Sequence, residues 1–256
     1  MSTMRIGICT DLMNAPLAAQ AGFDYAEGAM TQVAPASDGE FEKLLAAVER
    51  SGLKAEALNV MLPGTFRLTG PDADLKPVKE YLKKGFERAE KLGAKVQVFG
   101  SSGARNYPEG WPKGRALEQL AEFVRMAAPM AAAHGIRFAV EPLNPGECNI
   151  VNTVPEALVL MRLAGGFNVG VLADWYHMAV QDEGVEGVLE AGKNLLHCHI
   201  ANPAGRRYPL AGDGADFSAF ADALKRIGYE GRISVEGNGA PEEFAATLAR
   251  MRECFR

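Results

Sequence analysis

A short apolar run followed by a longer amphipathic stretch recurs eight times along this chain, and that alternation restricts its fold more than any other feature. The apolar runs at residues 5–9, 22–28, 53–58, 95–99, 138–141, 169–173, 195–200 and 232–235 read as strands. Between and after them, residues 16–21, 41–51, 75–92, 117–134, 154–163, 185–191, 217–227 and 242–255 read as helices. The segment 75–92 carries Val78, Leu82, Phe86 and Ala89 on one face, a 3.6-residue period, and glycines at 52, 93, 135 and 228 stop their helices. Strands alternating with helices along an unbroken chain predict an α/β fold, a single-domain (β/α)8 TIM barrel over residues 1–256. An open doubly wound sheet is the runner-up, but no G-x-G-x-x-G follows the first strand.

Bulk properties narrow the function. The formal charge of −5 comes without a basic block, which argues against a nucleic-acid surface. The four cysteines are scattered without C-x-x-C spacing, so neither a disulfide framework nor a zinc knuckle is expected. No run approaches the ~20 apolar residues of a membrane span, and the N-terminus has no long hydrophobic region. The expectation is a soluble, cytoplasmic protein that binds neither membrane nor nucleic acid.

The stretch RFAVEPLNPGECN, residues 137–149, ends an apolar strand on Glu141, and Pro142 then denies the ladder a donor. A carboxylate at the end of a buried strand needs a partner, a metal or a task. The pattern repeats at Asp174 (VGVLAD), His199 (LLHCHI) and Glu236 (RISVE), at separations of 33, 25 and 37 residues, each close to one βα repeat. In a barrel the C-terminal strand ends converge on one mouth. Each of the four has a plain structural reading by itself, as an ion-pair partner, an N-cap or a core histidine. Four at consecutive strand ends favour a single divalent cation. Three carboxylates and one imidazole suit Mn²⁺ first, then Mg²⁺ or Co²⁺, with Zn²⁺ as a further alternative. His197 shares a face with His199, one layer deeper, and reads as structural.

These motifs resemble the xylose isomerase-like TIM-barrel superfamily, in particular its sugar isomerases and epimerases such as the D-tagatose/D-psicose 3-epimerases and hydroxypyruvate isomerases. The likeness is carried by VEPLNPGECNIVNT (140–153), LADWYHM (172–178), HCHIAN (197–202) and ISVEG (233–237). It implies Glu141, Asp174, His199 and Glu236 as metal ligands and Glu147 and His177 as substrate-binding residues. It also implies a substrate-binding arginine at Arg206, with Arg207 as the alternative. It further implies a small sugar or hydroxy-keto acid substrate and a homodimer or homotetramer. The long loops containing Phe66 and Trp111 are expected to select the substrate, and FGSSGARNYPEGWP is similar to a subgroup of sugar phosphate isomerases.

The chemistry so implied is isomerase chemistry: a proton leaves carbon beside a carbonyl, and a divalent cation stabilises the resulting enediolate. Glu141 and Glu236 are expected to act as the acid/base pair. The rival readings are a metal-dependent dehydratase of an inosose-like ketone, a DNA-repair endonuclease and a non-catalytic sugar-binding barrel. The endonuclease needs more histidines than the four present and a basic face.

Overall fold

The computed structural model describes residues 4–255. Residues 1–3, the start of the N-terminal stretch expected to have no long hydrophobic region, lie outside the described residues. Eight strands close into a barrel in sequence order. They are β1 (Arg5–Cys9), β2 (Tyr25–Ala29), β3 (Ala55–Asn59), β4 (Val96–Phe99), β5 (Arg137–Val140), β6 (Val169–Asp174), β7 (Leu195–Ile200) and β8 (Arg232–Val235). Every pairing is parallel, and β1 closes the ring on β8 with Ile6 opposite Ile233. Among the described residues no helix is long and apolar enough to cross a membrane.

Local chemistry explains where the elements differ from expectation. β2 begins at Tyr25, later than expected, because Gly22 ends the preceding helix in the left-handed region at φ 94. The helix expected from residue 41 begins at Asp38, since Ser37 and Glu40 form a reciprocal capping box, Ser37 N–H donating to Glu40 Oε2 at 2.8 Å. The helix Lys113–Ala132 starts before residue 117, directly after Pro112, which needs no intrahelical partner for an N–H. Unexpected helical turns, Leu12–Asn14, Met30–Val33, Ser102–Arg105 and Trp175–Ala179, follow β1, β2, β4 and β6, and another, Gly192–Asn194, precedes β7. They are three to five residues long, too short for a 3.6-residue period to register.

Two apolar cores result. The larger lies between the strands and the outer helices; there Phe99, Phe123 and Phe138 pack with centroids 4.8–6.3 Å apart and join β4 and β5 to the helix Lys113–Ala132. Each such aromatic pair adds about 0.5–1.5 kcal/mol beyond its buried area. The smaller core fills the barrel itself with Tyr25, Ala57, Val96, Val98, Ala139 and Leu172. Tyr25 fits only because Gly7 on β1 has no side chain; a Cβ there would enter the phenol ring. This plug forms a floor beneath the C-terminal mouth. The next inward-facing residues along β5 to β8 are the polar ones.

Candidate active site

Glu141 follows β5, and its amide still donates to Phe99 O at 3.1 Å, so it lies in the ladder's last rung before Pro142 ends it. Asp174 is the last residue of β6, His199 lies near the end of β7 and Glu236 directly follows β8. Register places His199 beside Asp174 on one side and Ser234 on the other. One donor atom from each of Glu141, Asp174, His199 and Glu236 lies within 4.8 Å of the others. Glu141 Oε1 and Glu236 Oε2 both approach His199 Nδ1, at 3.1 and 3.2 Å.

The electrostatics are those of a cluster short of positive charge. Burial alone would lower the pKa of His199, but Glu236 and Glu27 outweigh it and hold the ring's pKa well above its usual value. In the metal-free protein His199 is therefore an imidazolium, and its Nδ1 proton lies between two carboxylates. Burial would raise Glu236, yet His199 and Arg206 bring it down to about 2. Asp174 is raised, by burial first, and His177 offsets this only in part. One Asp174 oxygen accepts from Tyr176 N–H at 2.8 Å, capping the turn Trp175–Ala179; the other, Oδ2, is buried without a hydrogen-bond partner. The cap and the ligand were rival readings of this residue, and its two oxygens allow both. A buried, unpaired carboxylate oxygen among oxygen and nitrogen donors fits a divalent cation, whose bonds of ~2.0–2.2 Å need donors this close together.

Around this cluster are the other expected residues. His177 is buried; its Nδ1 accepts from Asn144 N–H at 3.3 Å, so Nε2 carries the proton and points toward Asp174 Oδ2, 3.6 Å away, without a bond. Glu147 accepts from Asn144 Nδ2 at 3.2 Å and from Arg206 Nη1 at 3.3 Å. Arg206 also donates to Glu236 Oε2 at 2.8 Å and lies over the Tyr176 ring at 4.7 Å. Its backbone is in the left-handed region, φ 50, held by the bridges Asn202–Arg207 and Arg207–Asn238. That turn sends Arg206 into the mouth and leaves Arg207 exposed. In the two long loops, Phe66 packs on Tyr81 at 5.4 Å, and Trp111 donates to Gln119 at 3.2 Å.

The family model for the xylose isomerase-like TIM barrel matches residues 15–254. The chain belongs to the xylose isomerase-like TIM barrel family. It is 28% identical to the D-psicose 3-epimerase of Ruminiclostridium cellulolyticum, over 85% of this chain and 75% of the relative. It is also 28% identical to the ketose 3-epimerase of Arthrobacter globiformis, over 93% of this chain and 80% of the relative. Among solved structures, that of D-psicose 3-epimerase with D-tagatose from Clostridium cellulolyticum H10 superposes with a TM-score of 0.86. It is 23% identical and covers 99% of this chain and 100% of the other.

Within this family barrel, sequence reasoning missed several residues that build the site. Glu27 on β2 is wholly buried and bonded to both His197 and His199. Burial would raise its pKa, but the two histidines reverse this and hold it far below the usual carboxylate range. Asn59, the last residue of β3, donates to Glu236 Oε1 at 2.6 Å. Gly100, just after β4, leaves room for Glu141 Oε2, which a Cβ would strike. Asn59 carries the same sequence signal as the four ligand candidates, a polar residue at the end of an apolar strand.

Proposed function

We propose that this protein is a divalent-metal-dependent sugar epimerase or isomerase of the ketose 3-epimerase type, moving a proton at the carbon beside a carbonyl. The observation that carries the reading is the pairing of Glu141 and Glu236. Each directs one oxygen to the same imidazole nitrogen, while its other oxygen is separately placed, against Gly100 in one case and Asn59 in the other. The epimerase names of relatives covered over most of their length support the same class.

Glu141, Asp174, His199 and Glu236 would hold the cation, which supplies Lewis-acid stabilisation of the enediolate. The outer oxygen of one glutamate takes the proton from carbon, and the outer oxygen of the other returns one. Return to the opposite face of the same carbon gives epimerisation, and return to the neighbouring carbon gives isomerisation. Arg206 and Glu147 bind substrate hydroxyls at the open side of the mouth. His177 donates from Nε2, held in that tautomer by Asn144.

The test is solvent exchange. Metal-stripped protein is reloaded with Mn²⁺ and incubated in D₂O with ketoses, hydroxypyruvate and inosose, and C–H exchange is followed by NMR. The expected result is metal-dependent exchange in a ketose at the carbon beside the carbonyl. Glu141→Gln and Glu236→Gln should each lower the rate by at least about a hundredfold, the lower end of the usual acid/base contribution. Either variant retaining a tenth of the wild-type rate would remove that glutamate from the mechanism. Dehydration of inosose without exchange in any ketose would favour the dehydratase.

A further inference from the structure

His197 and His199 leave β7 on the same inward face, two residues apart, with ring centroids 5.0 Å apart and planes at 81°. Glu27 on β2 meets both. Its Oε1 accepts from His199 Nε2 at 3.0 Å, and its Oε2 accepts from His197 Nε2 at 2.7 Å and from Ser234 Oγ at 2.5 Å. Ser234 has one proton and gives it to Glu27, so the Tyr25 hydroxyl must donate to Ser234 across their 2.7 Å contact. Tyr25, Glu27, His197, His199 and Ser234 are all fully buried.

We propose that Glu27 is the positioning residue that makes His199 a cation ligand through Nδ1. This rests on the reading of the Glu141–Asp174–His199–Glu236 cluster as a metal site. An ionised carboxylate only accepts, so every group pointed at Glu27 must present a proton to it. His199 therefore keeps its proton on Nε2, and a neutral ring has its lone pair on Nδ1, the atom facing Glu141 and Glu236. A carboxylate behind a ligating imidazole fixes the ring's tautomer and orientation and raises its basicity. The Tyr25–Ser234 chain fixes the carboxylate in turn. Glu27 meets His199 on Nε2, the ring nitrogen opposite the one facing Glu141 and Glu236, so Glu27 acts through the imidazole.

Glu27→Gln makes the sharpest test. A glutamine keeps two of the three bonds if its oxygen faces His197 and Ser234, and its N–H then points at His199 Nε2. That orientation moves the His199 proton to Nδ1 and blocks the ligand atom. Zn²⁺, which is diamagnetic, is the probe. Its affinity is read by competition with a chromogenic chelator, and the ring nitrogens by NMR of ¹⁵N-histidine-labelled, zinc-loaded protein. Wild type should show His199 bound through Nδ1 with Nε2 protonated. Glu27→Gln should bind Zn²⁺ about 10–100-fold more weakly while keeping its far-ultraviolet circular dichroism.

Wild type carrying zinc on Nε2 overturns the proposal, whether or not the variant folds. So does a folded variant that binds zinc within threefold of wild type. Wild type that binds no zinc, manganese, magnesium or cobalt overturns the metal site itself, a result distinguishable from either.

Discussion

Gly100 and Asn59 act on the oxygens of Glu141 and Glu236 that the central histidine does not occupy. Asn59 holds one of them by a hydrogen bond of 2.6 Å, and Gly100 makes room for the other by having no side chain. Gly100 has no positive φ, so alanine suits the backbone and the conflict falls on the Glu141 carboxylate alone. Misplacing a reacting group by ~1 Å can cost about a hundredfold in rate. Gly100→Ala should therefore reduce ketose exchange by about ten- to a hundredfold, with the melting temperature little changed. Parallel measurement of exchange rate and thermal melting checks this. A variant of wild-type rate would show that Glu141 has freedom to spare.

The strands and long helices were legible because burial imposes a period on their sequence, and the strand-end positions of Glu141, Asp174, His199 and Glu236 followed from that period. Glu27 was not legible: it lies inside β2, and its partners on β7 are 170 and 172 residues away. The stretch FGSSGARNYPEGWP reads as a long loop after β4 with no period to assign its residues, and the structure shows what its arginine does. Arg105 is fully buried and donates to Phe99 O at 3.1 Å, Glu141 O at 2.7 Å, Val151 O at 3.2 Å and Cys148 Sγ at 3.2 Å. It fastens the loop after β4 to the loop after β5 and grips the backbone of Glu141 itself. Nothing in residue type announces such a clasp, because each acceptor apart from Cys148 is a main-chain carbonyl. Arg105→Met leaves three buried carbonyls without this donor, at about 1–3 kcal/mol for each that finds no other. Urea unfolding should show a loss of about 3 kcal/mol or more. Arg105→Lys should fall between, since an ammonium cannot span the same acceptors as a planar guanidinium. A loss below ~0.5 kcal/mol for the methionine variant would mean that the clasp contributes nothing to stability.

At the scale of the whole barrel, closing β8 against β1 forces three carboxylates and Glu27 around one histidine, and Asp174 is the member least compensated. Its Oδ2 has no hydrogen-bond partner and its pKa is raised, chiefly by burial, so at neutral pH its ionised form costs folding free energy in the metal-free protein. A cation that binds only the folded state returns that energy by mass action. At a hundred times its dissociation constant it stabilises by about 2.7 kcal/mol. For a chain of this size that is a rise of about 5–10 °C in melting temperature. Chelation of wild-type protein should lower melting by that amount, and Mn²⁺ should restore it. Asp174→Asn keeps the Oδ1 cap on Tyr176 and removes the buried negative charge, leaving a neutral amide between the carboxylates and the donors His177 Nε2 and Arg206 Nη2. The variant should melt above wild type in chelator and below it in saturating Mn²⁺, so the order of the two proteins reverses. Such a reversal separates a site strained for its ligand from a merely structural aspartate, whose loss would lower melting under both conditions. If Asp174→Asn gains as much from Mn²⁺ as wild type does, Asp174 is not a ligand and the cation site must be assigned to the other three residues.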